Sequence, residues 1–175
     1  FDATKKLTNL TSNILKISKL ENQELEISKK EYNVSEQLRE VIILLQSSWE
    51  KKNIEFDLDL EDCMIISDEE LLQQVWMNII NNAIKFSNNN GKISVQLKSH
   101  SNYISISIID NGCGMDEETL KHIFDKFYQG DTSHAGHGNG LGLPLAKRVI
   151  DLCNGSITVK SQTGKGTTFI VRLPA

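Results

Sequence analysis

The stretch NIINNAIK at residues 78–85 combines an apolar stripe with an asparagine-rich stripe on what its spacing predicts to be one helix. The helix is predicted to open at Asp68. Its apolar residues keep the alternating one-and-three spacing of a face that packs on a sheet: Leu71, Leu72, Val75, Trp76, Ile79, Ile80, Ala83 and Ile84. Asn78, Asn82 and Lys85 are four and three positions apart, so they share a stripe opposite much of that face. The stretch therefore predicts a helix that lies on a sheet and keeps its amide groups on the other side.

Alternating apolar residues on both sides of this helix predict the strands of the sheet. The predicted strands are residues 54–60, 64–66, 93–97, 104–108, 156–161 and 167–173. The last four form two antiparallel hairpins, and the second hairpin turns at Gly164-Lys165-Gly166. A short extended link at residues 31–34 precedes the first strand.

Three more helices complete the predicted fold. Ser35, followed by Glu36 and Gln37, can cap a helix that runs to about Lys52. A short helix is predicted at residues 116–122, and Pro144 suits the first turn of a helix that ends at Cys153. Strands on one side and helices on the other indicate an α+β fold. More specifically, we expect a two-layer α/β sandwich, with a mixed but mostly antiparallel sheet and helices on one face.

The first 27 residues are predicted to form a separate helix. Leu7, Leu10, Ile14 and Ile17 follow the spacing of a coiled-coil seam. This seam is compatible with packing on the chain's own domain and equally with pairing between molecules. We therefore divide the chain into residues 1–30, a coiled-coil-like helix, and residues 31–175, the main domain.

Composition limits the classes of function. With 175 residues and 39% hydrophobic content the chain can bury one real core, and its net charge of −4 argues against a nucleic-acid surface. The three cysteines show no metal-like spacing and fit a reducing compartment. No apolar run reaches the length of a membrane span, so the domain is expected to be cytoplasmic. The chain starts without Met, and any membrane anchor of the intact protein is expected upstream of it.

The asparagine stripe is the first candidate site. Amide oxygens are hard, neutral ligands that suit Mg²⁺ already carrying phosphate oxygens, and Lys85 can neutralise a phosphate. A solvated helix face is the alternative reading. However, Asn78, Asn81 and Asn82 within five positions cost helix propensity that solvent exposure does not require. The stripe therefore favours a metal and phosphate site.

The stretch DNGCG at residues 110–114 follows an apolar strand and supplies a second candidate. A carboxylate there, on Asp110, can accept a hydrogen bond from an exocyclic amine such as that of adenine. Gly112 and Gly114 allow backbone to approach the base closely. An ordinary β-turn is the alternative reading of the same residues.

A third candidate is the glycine-rich run GNGLG at residues 138–142, which directly precedes the helix that carries Pro144. Free backbone amides and a helix N-terminus bind anions such as phosphates. The polar segment at residues 124–137 is predicted to be a mobile lid, held onto the domain by Phe124 and Phe127. His134 and His137 are expected to be solvent-facing residues of this lid.

The order of these motifs resembles the catalytic ATP-binding domain of sensor histidine kinases, in the Bergerat (GHKL) group that also includes gyrase, MutL and heat-shock chaperone ATPases. Residues 78–85 resemble the N box, 110–114 the G1 box, 124–127 the F box and 138–142 the G2 box. Coverage runs from Tyr32 to the C-terminus. Residues 1–27 resemble the second helix of the dimerisation and phosphoacceptor domain.

The resemblance implies ATP and Mg²⁺ as ligands and assigns roles to the candidate residues. Asn78 and Asn82 would hold Mg²⁺, Lys85 a phosphate, and Asp110 the adenine amine. The remaining cofactor-binding residues implied are Gly112, Gly114, Phe127, Gly138, Gly140, Leu141 and Gly142, and Leu143 would pack beneath the lid together with Leu141. In the intact homodimer, the γ-phosphate would pass to a histidine on a four-helix bundle and then to an aspartate of a response regulator.

The chain departs from the family pattern at two places. Gln129 stands where many relatives have an arginine after the F box. The phosphoacceptor histidine with its following acidic residue is also missing, because the four histidines precede Ser101, Ile123, Ala135 and Gly138. This chain is therefore expected to bind ATP without phosphorylating itself.

Two other functions remain open from the sequence. A Bergerat ATPase that drives conformational change would need a catalytic glutamate near the start of the N-box helix. Glu69 and Glu70 lie a full turn or more upstream of Asn78. A non-catalytic module that binds nucleotide or only dimerises is the second alternative.

Overall fold

The computed structural model of the chain describes residues 27–130 and 139–175, together with Thr8, Thr11, Ser12, Ile14, Leu15, Ser18, Lys19 and Asn22. Each of these isolated positions except Asn22 is helical. Ile14 from the predicted seam is 42% exposed. Leu7, Leu10 and Ile17 lie outside the described residues, so the seam stays a prediction, as does the division at residue 30.

One layer of the domain is a mixed five-stranded sheet. The described residues form seven strands, five of them in this sheet: β1 (Lys30–Asn33), β2 (Glu55–Leu60), β3 (Met64–Ser67), β4 (Lys92–Ser99), β5 (Tyr103–Asp110), β6 (Ser156–Gln162) and β7 (Gly166–Pro174). The sheet has the order β2-β4-β5-β7-β6, with β2 parallel to β4 and the other pairs antiparallel. The predicted hairpins β4–β5 and β6–β7 are therefore confirmed.

The second layer consists of helices. They are α1 (Val34–Leu44), α2 (Gln46–Glu50), α3 (Glu69–Phe86), α4 (Glu117–His122) and α5 (Gly142–Leu152). α3 and α5 contact each other, and each also contacts the sheet, α3 at β5 and α5 at β6. The predicted two-layer α+β sandwich is confirmed. None of the described helices combines the length and the apolar character that crossing a membrane requires.

The helix α3 forms as the sequence predicted. The Asp68 carboxylate caps it, because one oxygen accepts the Leu71 N–H at 3.0 Å. The other oxygen accepts the Ser28 N–H at 2.9 Å and so fixes the segment that leads into β1. All of the predicted apolar stripe is buried except Leu71, which is half-buried. The largest member, Trp76, donates its indole N–H to the buried Gln37 Oε1 at 2.8 Å. Burial of each large side chain stabilises the domain by about 1.5–3 kcal/mol.

The first helix of the domain differs from the prediction. Its cap is Asn33, whose Oδ1 accepts the N–H groups of Ser35 at 3.0 Å and Glu36 at 3.2 Å. The prediction of Ser35 as the cap was therefore wrong. Both residue types can cap, and Asn33 takes the role because its backbone is extended where the helix begins. The helix also ends earlier than residue 52: it stops at Leu44, and α2 follows after Leu45, whose backbone is not helical (φ −92°, ψ 6°).

The link at residues 31–34 is largely a paired strand. β1 and β3 form a separate two-stranded antiparallel ribbon, with Tyr32 opposite Ile65. Both of these side chains are buried in the core. Pairing between strands that are about thirty residues apart cannot be inferred from local periodicity.

Candidate functional site

Asp110 is a buried carboxylate at the end of β5, only 5% exposed. Its Oδ1 accepts the Gly112 N–H at 2.9 Å, and the backbone N–H of Thr167 donates to the same carboxylate. Burial raises the pKa of Asp110 above its ordinary value of 3.8, and the two hydrogen bonds oppose that rise. Within the described part of the chain no cation forms an ion pair with it. The carboxylate is thus desolvated and held by backbone N–H groups alone among the described residues, which makes it a candidate functional residue.

The turn that follows Asp110 is packed backbone against backbone. A Cβ on Gly112 would lie 2.2 Å from the Phe86 carbonyl oxygen, and a Cβ on Gly166 would lie 1.9 Å from the Asp110 carbonyl oxygen. The Cys113 N–H donates to Phe86 O at 3.2 Å, and Cys113 O accepts the Gly164 N–H at 2.7 Å. Residues 110–114 are therefore held between the end of α3 and the β6–β7 hairpin. Gly114 also lies in this turn, and a Cβ on it would lie 2.0 Å from Gln162 O.

Sequence reasoning missed the polar residues beneath this turn. Ser161 Oγ lies 2.9 Å from both Gly166 O and Thr167 Oγ1, and it accepts the Met115 N–H at 2.8 Å. Thr167 stands opposite Asp110 in the register of β5 and β7. The sequence predicts only a hairpin turn at residues 164–166. Their contact with Asp110 could be predicted only with knowledge of which strands pair.

The asparagine stripe faces the start of α5. Asn78 and Asn82 are half-buried, whereas Asn81 is exposed to solvent. A Cβ on Gly142 would lie 3.0 Å from Asn78 Oδ1, so the two elements approach closely. The buried Asn78 Nδ2 has no hydrogen-bond partner among the described residues. A buried amide in that state costs free energy unless a ligand or water satisfies it.

The N-terminus of α5 completes this end of the site. No side chain caps the helix, and its N-cap residue Leu141 is buried in the core. The first turn therefore has N–H groups without a side-chain acceptor, which is the arrangement that binds anions. Leu143 is half-buried against the same core, so both leucines pack as expected.

Lys85 adds a cation in the last turn of α3. Its side chain is half-buried, with the ammonium 5.2 Å from the centroid of the Phe86 ring. Burial lowers the pKa of Lys85, and the nearby Lys52 ammonium lowers it further. No carboxylate of the described residues lies within ion-pair distance of it. An anionic ligand would therefore favour the charged form of this lysine.

The segment after α4 contacts the glycine-rich run through its backbone. The Phe127 N–H donates to Gly140 O at 2.9 Å, and a Cβ on Gly140 would lie 2.7 Å from the Phe127 carbonyl carbon. Phe124 is half-buried against the core, but the Phe127 side chain is 59% exposed. The expectation that Phe127 helps to hold the segment was therefore wrong for its side chain. Phe127 has a φ of 63°, an unfavourable backbone for a bulky residue.

Residues 131–138 lie outside the described residues. Gly138, His134 and His137 therefore keep only their predicted roles. The described candidates are distributed along α3: Asn78 lies beside the start of α5, and Phe86 beside the turn after Asp110. Eight residues of helix separate these two ends by about 12 Å.

The two-layer sandwich has a buried acid beside one end of α3, and the unsatisfied Asn78 amide lies beside the uncapped start of α5, as expected for the Bergerat class. The chain belongs to the family of histidine kinase-, DNA gyrase B-, and HSP90-like ATPases, whose sequence profile matches residues 67–175. Family membership confirms the resemblance drawn from the motifs.

Curated relatives are longer than this chain. The heme sensor protein HssS of Staphylococcus saprophyticus is 34% identical over 171 residues, which cover 98% of the chain and 37% of HssS. The signal transduction histidine-protein kinase AtoS of Escherichia coli is 38% identical over 167 residues, which cover 90% of the chain and 27% of AtoS. The chain thus spans roughly a third of the length of such relatives and is homologous to the catalytic part of sensor histidine kinases.

Solved structures give the same result. The catalytic domain of histidine kinase ThkA has a TM-score of 0.75 at 29% identity, and the match covers 84% of this chain and 97% of that domain. Full-length ShkA in complex with AMPPNP has a TM-score of 0.88 at 26% identity, with 99% and 36% covered. ThkA in complex with the response regulator TrrA has a TM-score of 0.77 at 27% identity, with 98% and 48% covered. The fold is that of a histidine kinase catalytic domain.

Proposed function

We propose that this chain binds Mg-ATP and presents the γ-phosphate to a histidine on a separate helix outside the chain. The observation that carries the proposal is the buried Asp110 carboxylate, which has no ion-pair partner among the described residues and is surrounded by glycine backbone. A carboxylate in such a place loses solvation, and a ligand with donors would add to the two backbone N–H groups that partly replace it. The phosphoryl group would then pass to an aspartate of a response regulator, in a cytoplasmic homodimer.

The base would bind at the Asp110 end of α3. The carboxylate can accept a hydrogen bond from the exocyclic amine of adenine, which guanine lacks at the same position. Gly112 and Gly114 let the turn pack against Phe86 O and Gln162 O, which would hold the Asp110 carboxylate in place for the base. ShkA, a protein of the same fold at 26% identity, was crystallised with the ATP analogue AMPPNP, which supports an adenine nucleotide as the ligand.

The phosphates and Mg²⁺ would bind at the Asn78 end. The Asn78 and Asn82 side chains offer amide oxygens to the metal, and the unsatisfied Asn78 Nδ2 can donate to a phosphate oxygen. The uncapped start of α5 at Leu141 and Gly142 supplies positive potential there, and the Lys85 ammonium supplies it nearer the C-terminal end of α3. By the family resemblance, Gly138 and Gly140 would also contribute to this phosphate site. Bound Mg²⁺ would neutralise phosphate charge. The protein groups named above would orient the triphosphate.

The phosphoacceptor would come from another part of the intact protein. Of the histidines in the described part, His100 stacks on Tyr103 and His122 binds Asp125 at 2.6 Å. Neither is followed by the acidic residue of the family motif. Catalysis by positioning and charge neutralisation fits a site that holds ATP while the phosphoacceptor lies on a separate helix. ThkA, which forms a complex with the response regulator TrrA, supports a partner of that kind here.

The structure gives less support to an ATPase that drives conformational change. Such an enzyme needs a glutamate free to activate water near the start of α3. Glu69 instead forms an ion pair with Lys30, and its backbone carbonyl accepts a hydrogen bond from Gln37 at 2.7 Å. The residue is thus engaged in holding β1 and α1 onto α3.

Replacing the half-buried Asn82 by alanine is expected to weaken Mg-ATP binding by about tenfold, the effect of losing about 1.4 kcal/mol of metal ligation. ATP binding in EDTA should change less than threefold, because the lost interaction is with the metal. Isothermal titration calorimetry with and without Mg²⁺ measures both.

The exposed neighbour Asn81 offers a matched control. Asn81→Ala removes the same side chain from the same helix and should leave both affinities within twofold of the parent. Equal losses in the two variants, or equal losses with and without Mg²⁺ for Asn82→Ala, would contradict a metal-ligand role for the stripe.

A further inference from the structure

Lys52 lies in the turn between α2 and β2, away from every family motif, and its ammonium is bound by backbone alone. Nζ donates to Ile84 O at 2.9 Å, to Lys85 O at 2.6 Å and to Ser87 O at 2.9 Å. These are carbonyls at the C-terminal end of α3, where a helix lacks internal donors and carries partial negative charge. No carboxylate of the described residues forms an ion pair with Lys52, so the three carbonyls hold its charge.

The main chain around Lys52 binds the same region. Lys52 O accepts the Asn90 N–H at 2.7 Å, and the Asn53 side chain donates to Asn90 Oδ1 at 2.7 Å. The Glu55 N–H donates to Gly91 O at 2.9 Å. The turn at residues 52–55 therefore fixes the whole connection from the end of α3 to the start of β4.

The end of α3 is also the surface on which the turn after Asp110 rests. Phe86 O accepts the Cys113 N–H, and it stands so close to Gly112 that no Cβ would fit between them. Two of the carbonyls that Lys52 binds, those of Lys85 and Ser87, flank Phe86 in the chain. A shift of this last turn would move Phe86 O and, with it, residues 112–113 and the neighbouring Asp110.

We propose that Lys52 is a positioning residue of the nucleotide site, which sets the distance between the asparagine stripe and the turn that follows Asp110. This inference rests on the proposed function of the site. The three hydrogen bonds of the Lys52 ammonium go to backbone carbonyls, and none goes to Asn78 or Asn82, the proposed metal ligands. It acts by neutralising the end of α3, so that the Phe86 carbonyl stays where Gly112 and Cys113 need it. Burial lowers the pKa of Lys52, in agreement with an ammonium whose partners are neutral.

The test compares Lys52→Met, which keeps the length of the stem but no donor, with Lys52→Arg, which keeps charge and donors. Lys51→Met removes an exposed lysine one position away and is the matched control. Calorimetry gives the dissociation constant for Mg-ATP, and amide hydrogen exchange by NMR reports on Gly112 and Cys113. We expect Lys52→Met to weaken binding at least fivefold and to speed exchange of both amides at least tenfold. Amides in the centre of β5, such as that of Ile106, should exchange at the parent rate.

On a logarithmic scale, Lys52→Arg should recover at least half of the loss in affinity and at least half of the increase in exchange rate. Lys51→Met should match the parent in both quantities. Uniformly faster exchange that includes Ile106 would mean a general loss of stability and would overturn the positioning role. Parent-like affinity with parent-like exchange in Lys52→Met would overturn it too. If the parent chain itself bound no ATP, the proposed function would fail, and the exchange of Gly112 and Cys113 would still decide whether Lys52 positions the turn.

Discussion

Asp110→Asn is expected to weaken Mg-ATP binding by at least about tenfold while leaving the unliganded chain at least as stable as the parent at pH 7. The loss of affinity follows because an amide oxygen accepts the adenine amine less strongly than a carboxylate, and the amide nitrogen can face the ligand's donor. Tenfold corresponds to about 1.4 kcal/mol, the size of one hydrogen bond to a charged group. Calorimetry for binding and urea unfolding for stability measure the two quantities.

The stability part of this result follows from the direction of the pKa shift. Folding raises the pKa of Asp110, chiefly because the carboxylate is buried. The folded state then binds its proton more tightly than the unfolded state, so stability falls as pH rises from about 3.8 through the folded pKa. At pH 7, which is above the pKa of the unfolded state, the raised pKa of Asp110 costs stability, and asparagine removes that cost. A carboxylate that destabilises the folded state in this way is better explained by ligand binding than by a structural role.

An exposed aspartate provides the control for this substitution. Asp57 lies on β2, two strands away from β5 in the sheet order, and its exposed carboxylate pairs with Lys92 at 3.1 Å. Asp57→Asn makes the same chemical change and should alter Mg-ATP affinity less than twofold. A destabilised Asp110→Asn that binds ATP as the parent does would show that Asp110 serves the fold instead of the ligand.

The second large effect is expected at Gly166, where alanine should lower the free energy of unfolding by at least about 3 kcal/mol. The backbone there has a φ of 93°, and a Cβ would lie 1.9 Å from the Asp110 carbonyl oxygen. That contact is with backbone, so neither partner can move without shifting the β5–β7 pairing. Backbone strain of about 1–2 kcal/mol and the steric overlap add together. The corresponding fall in melting temperature is on the order of 10 °C.

A substitution at Gly164, in the same turn, distinguishes the cost of backbone strain from the cost of steric overlap. Gly164 also has a positive φ, of 78°, but no atom lies within 4 Å of a Cβ placed there. Gly164→Ala should therefore cost only the strain, about 1–2 kcal/mol, and keep ATP affinity within twofold. Gly166→Ala should also weaken ATP binding, because Asp110 is displaced. Equal stability of the two variants would contradict the packing described for this turn.

Local patterns predicted most of the elements. The cap at Asp68 and the apolar stripe of α3 followed from spacing alone, and so did the alternation of the β4–β5 hairpin. These features depend on residues that are close in sequence, where the helical and strand periods apply directly. The candidate motifs, from the asparagine stripe of α3 to the glycine-rich run before α5, could also be found from the sequence, because each motif contains its own turn or helix signal.

Features that depend on distant partners could not be predicted in this way. The parallel pairing of β2 with β4 and the ribbon of β1 with β3 join segments without a local signal. Lys52 illustrates the same limit, because a lysine in a polar turn is ordinarily a solvated residue. Its three carbonyl partners lie more than thirty positions away in the chain. The outward side chain of Phe127 depends on a positive φ that a phenylalanine rarely adopts.

Calorimetric titration of the unaltered chain with Mg-ATP and with Mg-GTP tests the central claim most directly. We predict saturable binding of one Mg-ATP per chain, and at least about tenfold weaker binding of Mg-GTP. Guanine places a carbonyl where adenine has its amine, and that oxygen would face the Asp110 carboxylate. Equal affinities for the two nucleotides would contradict the assignment of the base to Asp110. No saturable binding of either would contradict a nucleotide site in this chain and favour a module that only dimerises.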